Sequence, residues 1–466
     1  MERKQAPKGR EILRPGGAAG RGALTPGAGR RSVTPVRDGA SAPERARHSL
    51  PNGLTLIVCP RPHLSHAYVS LLIGVGSRHE TRESNGLSHM LEHMVFRGTN
   101  SYADATELNA AAEDLGGFLE GATYRDHTIL STGCHPTTVN SAIGILSEIA
   151  RSPRFRSLEV ERSILREELL ETLDARGRIV DLDNIAHQSV FGDEGLGLPI
   201  EGSSENLARF SVDDLRQHHA RWLVGSNCVL SVAGNVAVDE VVETVARGFT
   251  SLPDGSRPID QPPRPVAGKP TVRFVRDSSS QVDIRVSFRG SPVHHPEYPA
   301  LVMLARLLAD GLASRMHAEL VDRRGLAYAL HAGLTTYADD GLFDFDVSVA
   351  PNRASEAMAA ILEFAESAKR FRFSRSELER ARRRYRYGLA FMEDSAVDLA
   401  AWHGRAALFG TTTDLDALEH RIARVDESRL RRAARLVFNR SGLVVSAVGE
   451  LSRGEYRRIR DAVEAF

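Results

Sequence analysis

The sequence predicts an α+β protein of two homologous domains, each a mostly antiparallel sheet packed with helices. Three observations carry that expectation. Strand and helix patterns run through the chain twice in the same order, a proline-rich break separates the two runs, and the runs end alike. In the first run, residues 54–58 and 67–73 are β-branched and apolar stretches on either side of a Pro-containing turn, which reads as two strands. Helical periodicity follows through about 85–97, 103–115, 137–151 and 158–175, then a strand at 229–234 and a helix at 238–248. Segment 253–270 holds six prolines and reads as a linker. Beyond it come strands at 271–276 and 281–288, helices near 296–309 and 312–323, strands at 326–335 and 341–350, and long helices at 353–370 and 374–395. Residues 226–235 resemble 440–450, and a helix follows each. The expected division is a flexible basic tail over 1–46, domains over 47–252 and 271–466, and the linker between them.

Composition narrows the function. Lys+Arg and Asp+Glu both number 60, so no net charge draws the chain to nucleic acid or to a membrane surface. No stretch approaches the roughly 18 apolar residues of a spanning helix, and the N-terminus lacks the apolar core of a secretory signal. Residues 1–46 are rich in Gly, Ala, Pro and Arg; prolines and glycines interrupt any amphipathic helix of the transit-peptide kind. A cytoplasmic protein is expected. Cys59, Cys134 and Cys228 are odd in number and far apart, which indicates neither a disulfide framework nor a cysteine metal site.

The sharpest signal lies in 85–98. Leu87, Met90, Leu91, Met94 and Val95 recur at helical spacing along one face, Asn85 can cap the start, and Gly98 can end it. At about 100° per residue, His89 and His93 sit one turn apart opposite that face, with Glu92 beside them. Two such imidazoles can hold one zinc ion, and the carboxylate is placed to take a proton from water. Without a third ligand the same pattern describes a solvated helix face.

The helix expected at 158–173 supplies a candidate. Its apolar arc takes in Leu158, Ile164, Leu165, Leu169 and Leu173, and Glu161 and Glu168 fall inside that arc. Carboxylates pointing into apolar surroundings need a positive partner. Glu168 can complete a His-His-Glu set, with Glu161 steering the site from behind the ligands. The alternative is a pair of glutamates in salt bridges with arginines such as Arg162 or Arg166.

Together these residues resemble the pitrilysin family of inverzincins, which includes insulin-degrading enzyme and the mitochondrial processing peptidases. The likeness rests on the H-x-x-E-H at 89–93, on Glu168 following His93 by 75 positions, and on Gly86–His89, Phe96–Thr99, Glu161–Leu169, Leu198–Gly202 and Val232–Asn235. In the second half, Ala313–Met316 and Arg324–Tyr328 resemble family landmarks too. The resemblance implies a zinc-dependent endopeptidase, one Zn2+ per chain on His89, His93 and Glu168, with Glu92 as general base. It implies a peptide substrate added as a strand to a sheet edge, a homodimer or a heterodimer with a related subunit, and a substrate-carbonyl role for Tyr328. Two positions depart from the pattern. Val321 stands where the family has an arginine, which Arg323 or Arg324 would have to replace, and Glu120-Gly121 stands where the family has Asn-Ala. A non-catalytic scaffold or partner subunit of the same fold is the competing reading.

Overall fold

Residues with strand propensity assemble into two sheets of the same topology. The first contains β1 (Ala46–Ser49), β2 (Thr55–Pro60), β3 (Ala67–Ile73), β4 (Leu119–Thr123), β5 (Thr128–Cys134) and β6 (Cys228–Gly234), in the order β1-β2-β6-β3-β5-β4. The second contains β7 (Thr271–Arg276), β8 (Val282–Arg289), β9 (Ala327–Thr336), β10 (Gly341–Val349) and β11 (Leu443–Gly449), in the order β7-β11-β8-β10-β9. Each sheet is antiparallel apart from one parallel pair, β2 with β6 and β7 with β11. With β1 set aside, one order repeats the other strand for strand. This computed structural model describes residues 45–466 except 259, 261, 264–267 and 413, so nearly all of the tail expected over 1–46 lies outside the described residues.

Both faces of the sheets are covered, which is why β3 and β6 are buried along their whole length. Val69, Leu71 and Ile73 face a core shared with Met90, Ile143, Leu146 and Phe249 from the helices of the first half. Tyr68 and Leu72 point the other way, against Ala396, Leu399 and Ala400. These last belong to the helix Ala396–Phe409 of the second half. The first half reciprocates: the helix Leu182–Phe191 lays Val190 and Phe191 against Tyr337, Leu342 and Val444 of the second. At Gly404 the two halves approach so closely that a side chain would collide with Leu72 and Ser231.

Neither exchanged helix was foreseen. The run AVDLAAWHGRAALF is buried at Ala396, Leu399, Ala400, His403, Gly404, Ala406 and Leu408, so its small residues form no narrow apolar stripe. Polar contacts fix the same junction. Arg78 binds both oxygens of Asp339 (3.0 and 2.6 Å), Arg125 and Arg285 share Asp183 (2.7 and 2.6 Å), and His187 Nε2 pairs with the Tyr337 hydroxyl (2.8 Å). The helix expected at 312–323 also differs: a wide π-helical turn occupies His317–Arg323, and Leu312 is exposed. Among the described residues no helix is long and apolar enough to cross a membrane.

Candidate metal centre

The helix bearing the histidines spans Leu87–Met94. It starts from Gly86, whose φ of 98° suits glycine, and whose missing side chain leaves room for Glu201 and Gly202. Asn85 does not cap it, contrary to expectation; its amide donates to Glu80 Oε2 (3.0 Å) and to the Pro199 carbonyl (2.8 Å). The cap is Glu80. Its Oε1 accepts from Ser88 N (2.6 Å) and its Oε2 from Gly86 N (2.8 Å), which satisfies amides that the first turn leaves open. Burial pushes the Glu80 carboxyl above its ordinary range, and the hydrogen bonds from Ser88, Asn85 and Gly86 offset only part of that. Sequence reasoning missed this residue, because it lies too far ahead of the helix to resemble a capping box.

As expected, Leu87, Met90, Leu91, Met94 and Val95 are buried. The side chains of His89 and His93 are 13% and 17% exposed, and their ring centroids lie 4.8 Å apart. Glu92 joins them, with one ligand atom from each of the three residues lying within 4.8 Å of the others. Its Oε2 accepts from Thr123 Oγ1 (2.9 Å), and its carboxylate lies where a Cβ on residue 121 of β4 would project. Gly121, one of the two departures in the sequence, thus opens space for this side chain.

The second helix spans Leu158–Glu171 and presents Glu161, Leu165, Glu168 and Leu169 inward. The inward arc is narrower than the pattern suggested, for Ile164 is 40% exposed. Glu168 Oε2 lies 3.6 Å from His89 Nε2 and 3.5 Å from His93 Nε2. Glu161 Oε1 lies 2.8 Å from His93 Nδ1, and its Oε2 accepts from Nε and Nη2 of Arg97. The glutamate's guanidinium partner is therefore Arg97. Arg162 instead binds Glu159 and the carbonyls of Leu207 and Phe210. Burial alone raises the Glu161 carboxyl, but the hydrogen bond from His93 and the Arg97 charge bring it below the usual range. Burial alone lowers His93, while Glu161, Glu92 and Glu168 together lift it above the ordinary value. The cluster attracts positive charge.

Its spacing suits an ion better than direct contact. Separations of 3.5–3.6 Å exceed hydrogen-bond length. Two ligands about 2.0–2.1 Å from a tetrahedral zinc stand roughly 3.3–3.5 Å apart. With Nδ1 of His93 engaged by Glu161, Nε2 is the atom left to meet a metal, the usual arrangement of a carboxylate behind a histidine ligand. Two imidazoles and one carboxylate form a donor set that zinc accepts, so the residues present fit the ion.

Tyr328 is not gathered into this cluster. It lies on β9, an edge strand of the second sheet, and is 91% exposed. Arg323 and Arg324 are both held by Glu319, Arg324 Nε at 2.8 Å.

Fold and cluster together define a duplicated two-sheet α+β chain carrying an inverted H-x-x-E-H motif on its first half. Residues 58–203 match the family described as Insulinase (Peptidase family M16), and residues 209–385 match the Peptidase M16 inactive domain. The chain belongs to the M16 peptidase family. It is similar to a Bacillus subtilis protein named uncharacterized zinc protease YmxG, at 26% identity over 84% of this chain and 95% of the relative. It is also similar to a probable mitochondrial-processing peptidase subunit beta of Arabidopsis thaliana, at 28% identity over 88% and 79%. Among solved structures, a protease from Helicobacter pylori shares the fold with a TM-score of 0.81 at 20% identity, covering 88% of this chain and 100% of that one.

Proposed function

We propose that this chain is a zinc-dependent endopeptidase that hydrolyses peptide bonds in extended peptides. The observation that carries the reading is the position of Glu168 Oε2, 3.5–3.6 Å from the Nε2 atoms of two histidines on another helix. His89, His93 and Glu168 would hold the ion. Zinc bound there supplies Lewis acidity, lowering the pKa of water and polarising a carbonyl. Glu92 takes the proton of the attacking water and hands it to the departing amine, so no covalent intermediate is required. Thr123 fixes one oxygen of Glu92 for that task, and Glu161 fixes the ring of His93.

The substrate joins the outer edge of β4. This strand ends its sheet, runs beside the metal helix, and offers peptide groups to an incoming extended chain. Tyr328, exposed on the edge of the other sheet, acts on the substrate carbonyl from a second copy or a related subunit. The Arabidopsis relative's name, which calls it a subunit, agrees with such pairing.

The test pairs zinc analysis of the purified chain with cleavage of a random peptide library. The wild type should carry one zinc and cleave; Glu92→Gln should keep the zinc and lose roughly 10²–10⁴-fold in rate. Full activity in the variant removes Glu92 from its role. A wild type with neither zinc nor cleavage makes the chain a non-catalytic partner subunit.

A further inference from the structure

The second half carries a charged pocket between two helices that hold the same order in the chain as the two helices of the metal cluster. The helix Tyr298–Ala309 follows β8 as the histidine helix follows β3, and the helix Arg375–Glu393 occupies the rank of Leu158–Glu171. Spacing repeats as well. Arg306 and Asp310 stand four residues apart, as His89 and His93 do, and Glu377 and Arg384 stand seven apart, as Glu161 and Glu168 do.

We infer that this pocket is a binding site for a small oxyanion, of the phosphate or carboxylate type. Four guanidinium groups line it against two carboxylates, which leaves two positive charges unbalanced. Asp310 is shared, with Oδ2 2.8 Å from Arg306 and Oδ1 3.0 Å from Arg384. Glu377 is held at both oxygens by Arg315 (2.6 and 2.9 Å). Arg380 has no carboxylate partner among the described residues and donates to the Ala313 carbonyl (3.2 Å). A second, separate observation lies beside these charges: Ser314 is 6% exposed, belongs to the lining of the same cavity, and its hydroxyl has no hydrogen-bond partner among the described residues. A buried hydroxyl without a partner is costly unless a ligand meets it.

The site is stiff enough to select. Arg315 lies over the rings of Phe371 and Phe373 (4.8 and 4.5 Å) and Arg306 over Tyr385 (5.3 Å), so both forks are oriented before any ligand arrives. The cavity of about 40 Å³ is roughly three times what one water needs, room for the oxygens of one small anion. Inorganic phosphate and the terminal carboxylate of a peptide present the same chemistry to it.

The test is calorimetric titration of the full chain with inorganic phosphate at fixed ionic strength. Saturable binding is expected, weakened about tenfold in Arg380→Gln and about threefold in Ser314→Ala, and unchanged in Arg247→Gln, an exposed side chain on a helix of the first half. Arg380 and Ser314 are chosen because neither anchors an ion pair that the fold needs. Competition by a peptide with a free C-terminus, but not by its amide, makes the terminal carboxylate the natural anion; no competition by either leaves free phosphate. Equal affinity in wild type, Arg380→Gln and Ser314→Ala overturns the inference, as does the absence of saturation. None of these readouts involves Glu92 or zinc, so this site can fail while the peptidase reading stands.

Discussion

Replacing Glu161 by Gln tests how far the metal cluster depends on a residue that touches no metal. Glu161 is 3% exposed and serves two partners, His93 through Oε1 at 2.8 Å and the Arg97 guanidinium through Oε2. Glutamine keeps the shape and one acceptor but removes the charge that orients the imidazole and raises its basicity. Carboxylates in that position contribute about 10- to 100-fold to metal affinity. Because the amide can still accept from His93, the lower end is expected: about a tenfold weaker zinc complex, near 1.4 kcal/mol. Arg97 loses its partner as well. Its side chain is 23% exposed, so water replaces part of the loss and the fold should weaken by about 1–2 kcal/mol, less than for a fully buried pair. Competition against a chromogenic chelator measures the affinity, urea denaturation the stability, and kcat/KM on a peptide should fall with zinc occupancy. Zinc affinity within twofold of wild type would refute the reasoning and reduce Glu161 to an ion pair between helices.

Other outcomes follow from residues around the junctions. Glu80→Ala strips acceptors from two buried amides and the Asn85 side chain at the start of the metal helix, and should cost about 2–4 kcal/mol in chemical denaturation; a loss below 0.5 kcal/mol, on the order of a surface change, contradicts the capping role. Burial, with the charges of Arg45 and Arg61, holds His403 at a pKa of about 3, against about 6.5 unfolded. Between those values the unfolded chain binds the extra proton, so this residue's contribution is intact above pH 6.5 and is lost as the pH falls toward 3. Wild type should therefore lose about 1.4 kcal/mol more than His403→Leu between pH 7.5 and 5.5, and identical pH slopes would show that His403 does not titrate this way.

How much of this was legible in advance depends on the range over which each feature is decided. The phase of His89, Glu92 and His93 against Leu87, Met90 and Leu91 is set by backbone geometry within two turns, so spacing along the chain sufficed to place them side by side. Most of the duplicated strands were legible for the same reason, since period and turn residues are local, but β1, β4 and β5 were not read, the short β4 (LEGAT) showing no apolar alternation. Glu168 could be nominated because a glutamate on an inward helix face is conspicuous, although its neighbours were misjudged: Ile164 faces outward, and the guanidinium beside Glu161 comes from Arg97.

Glu168 apart, what the linear pattern left open was the choice among distant partners. Glu80 rather than Asn85 receives the amides of the metal helix, Arg78 of one half finds Asp339 of the other, and the helices Leu182–Phe191 and Ala396–Phe409 each cover the opposite sheet. The pocket of arginines in the second half is of the same kind, assembled from segments around 306–315 and 377–384 that lie far apart in the chain. A buried donor or charge must find a partner, but its own segment does not say which of several chemically equivalent groups will arrive; packing makes that choice.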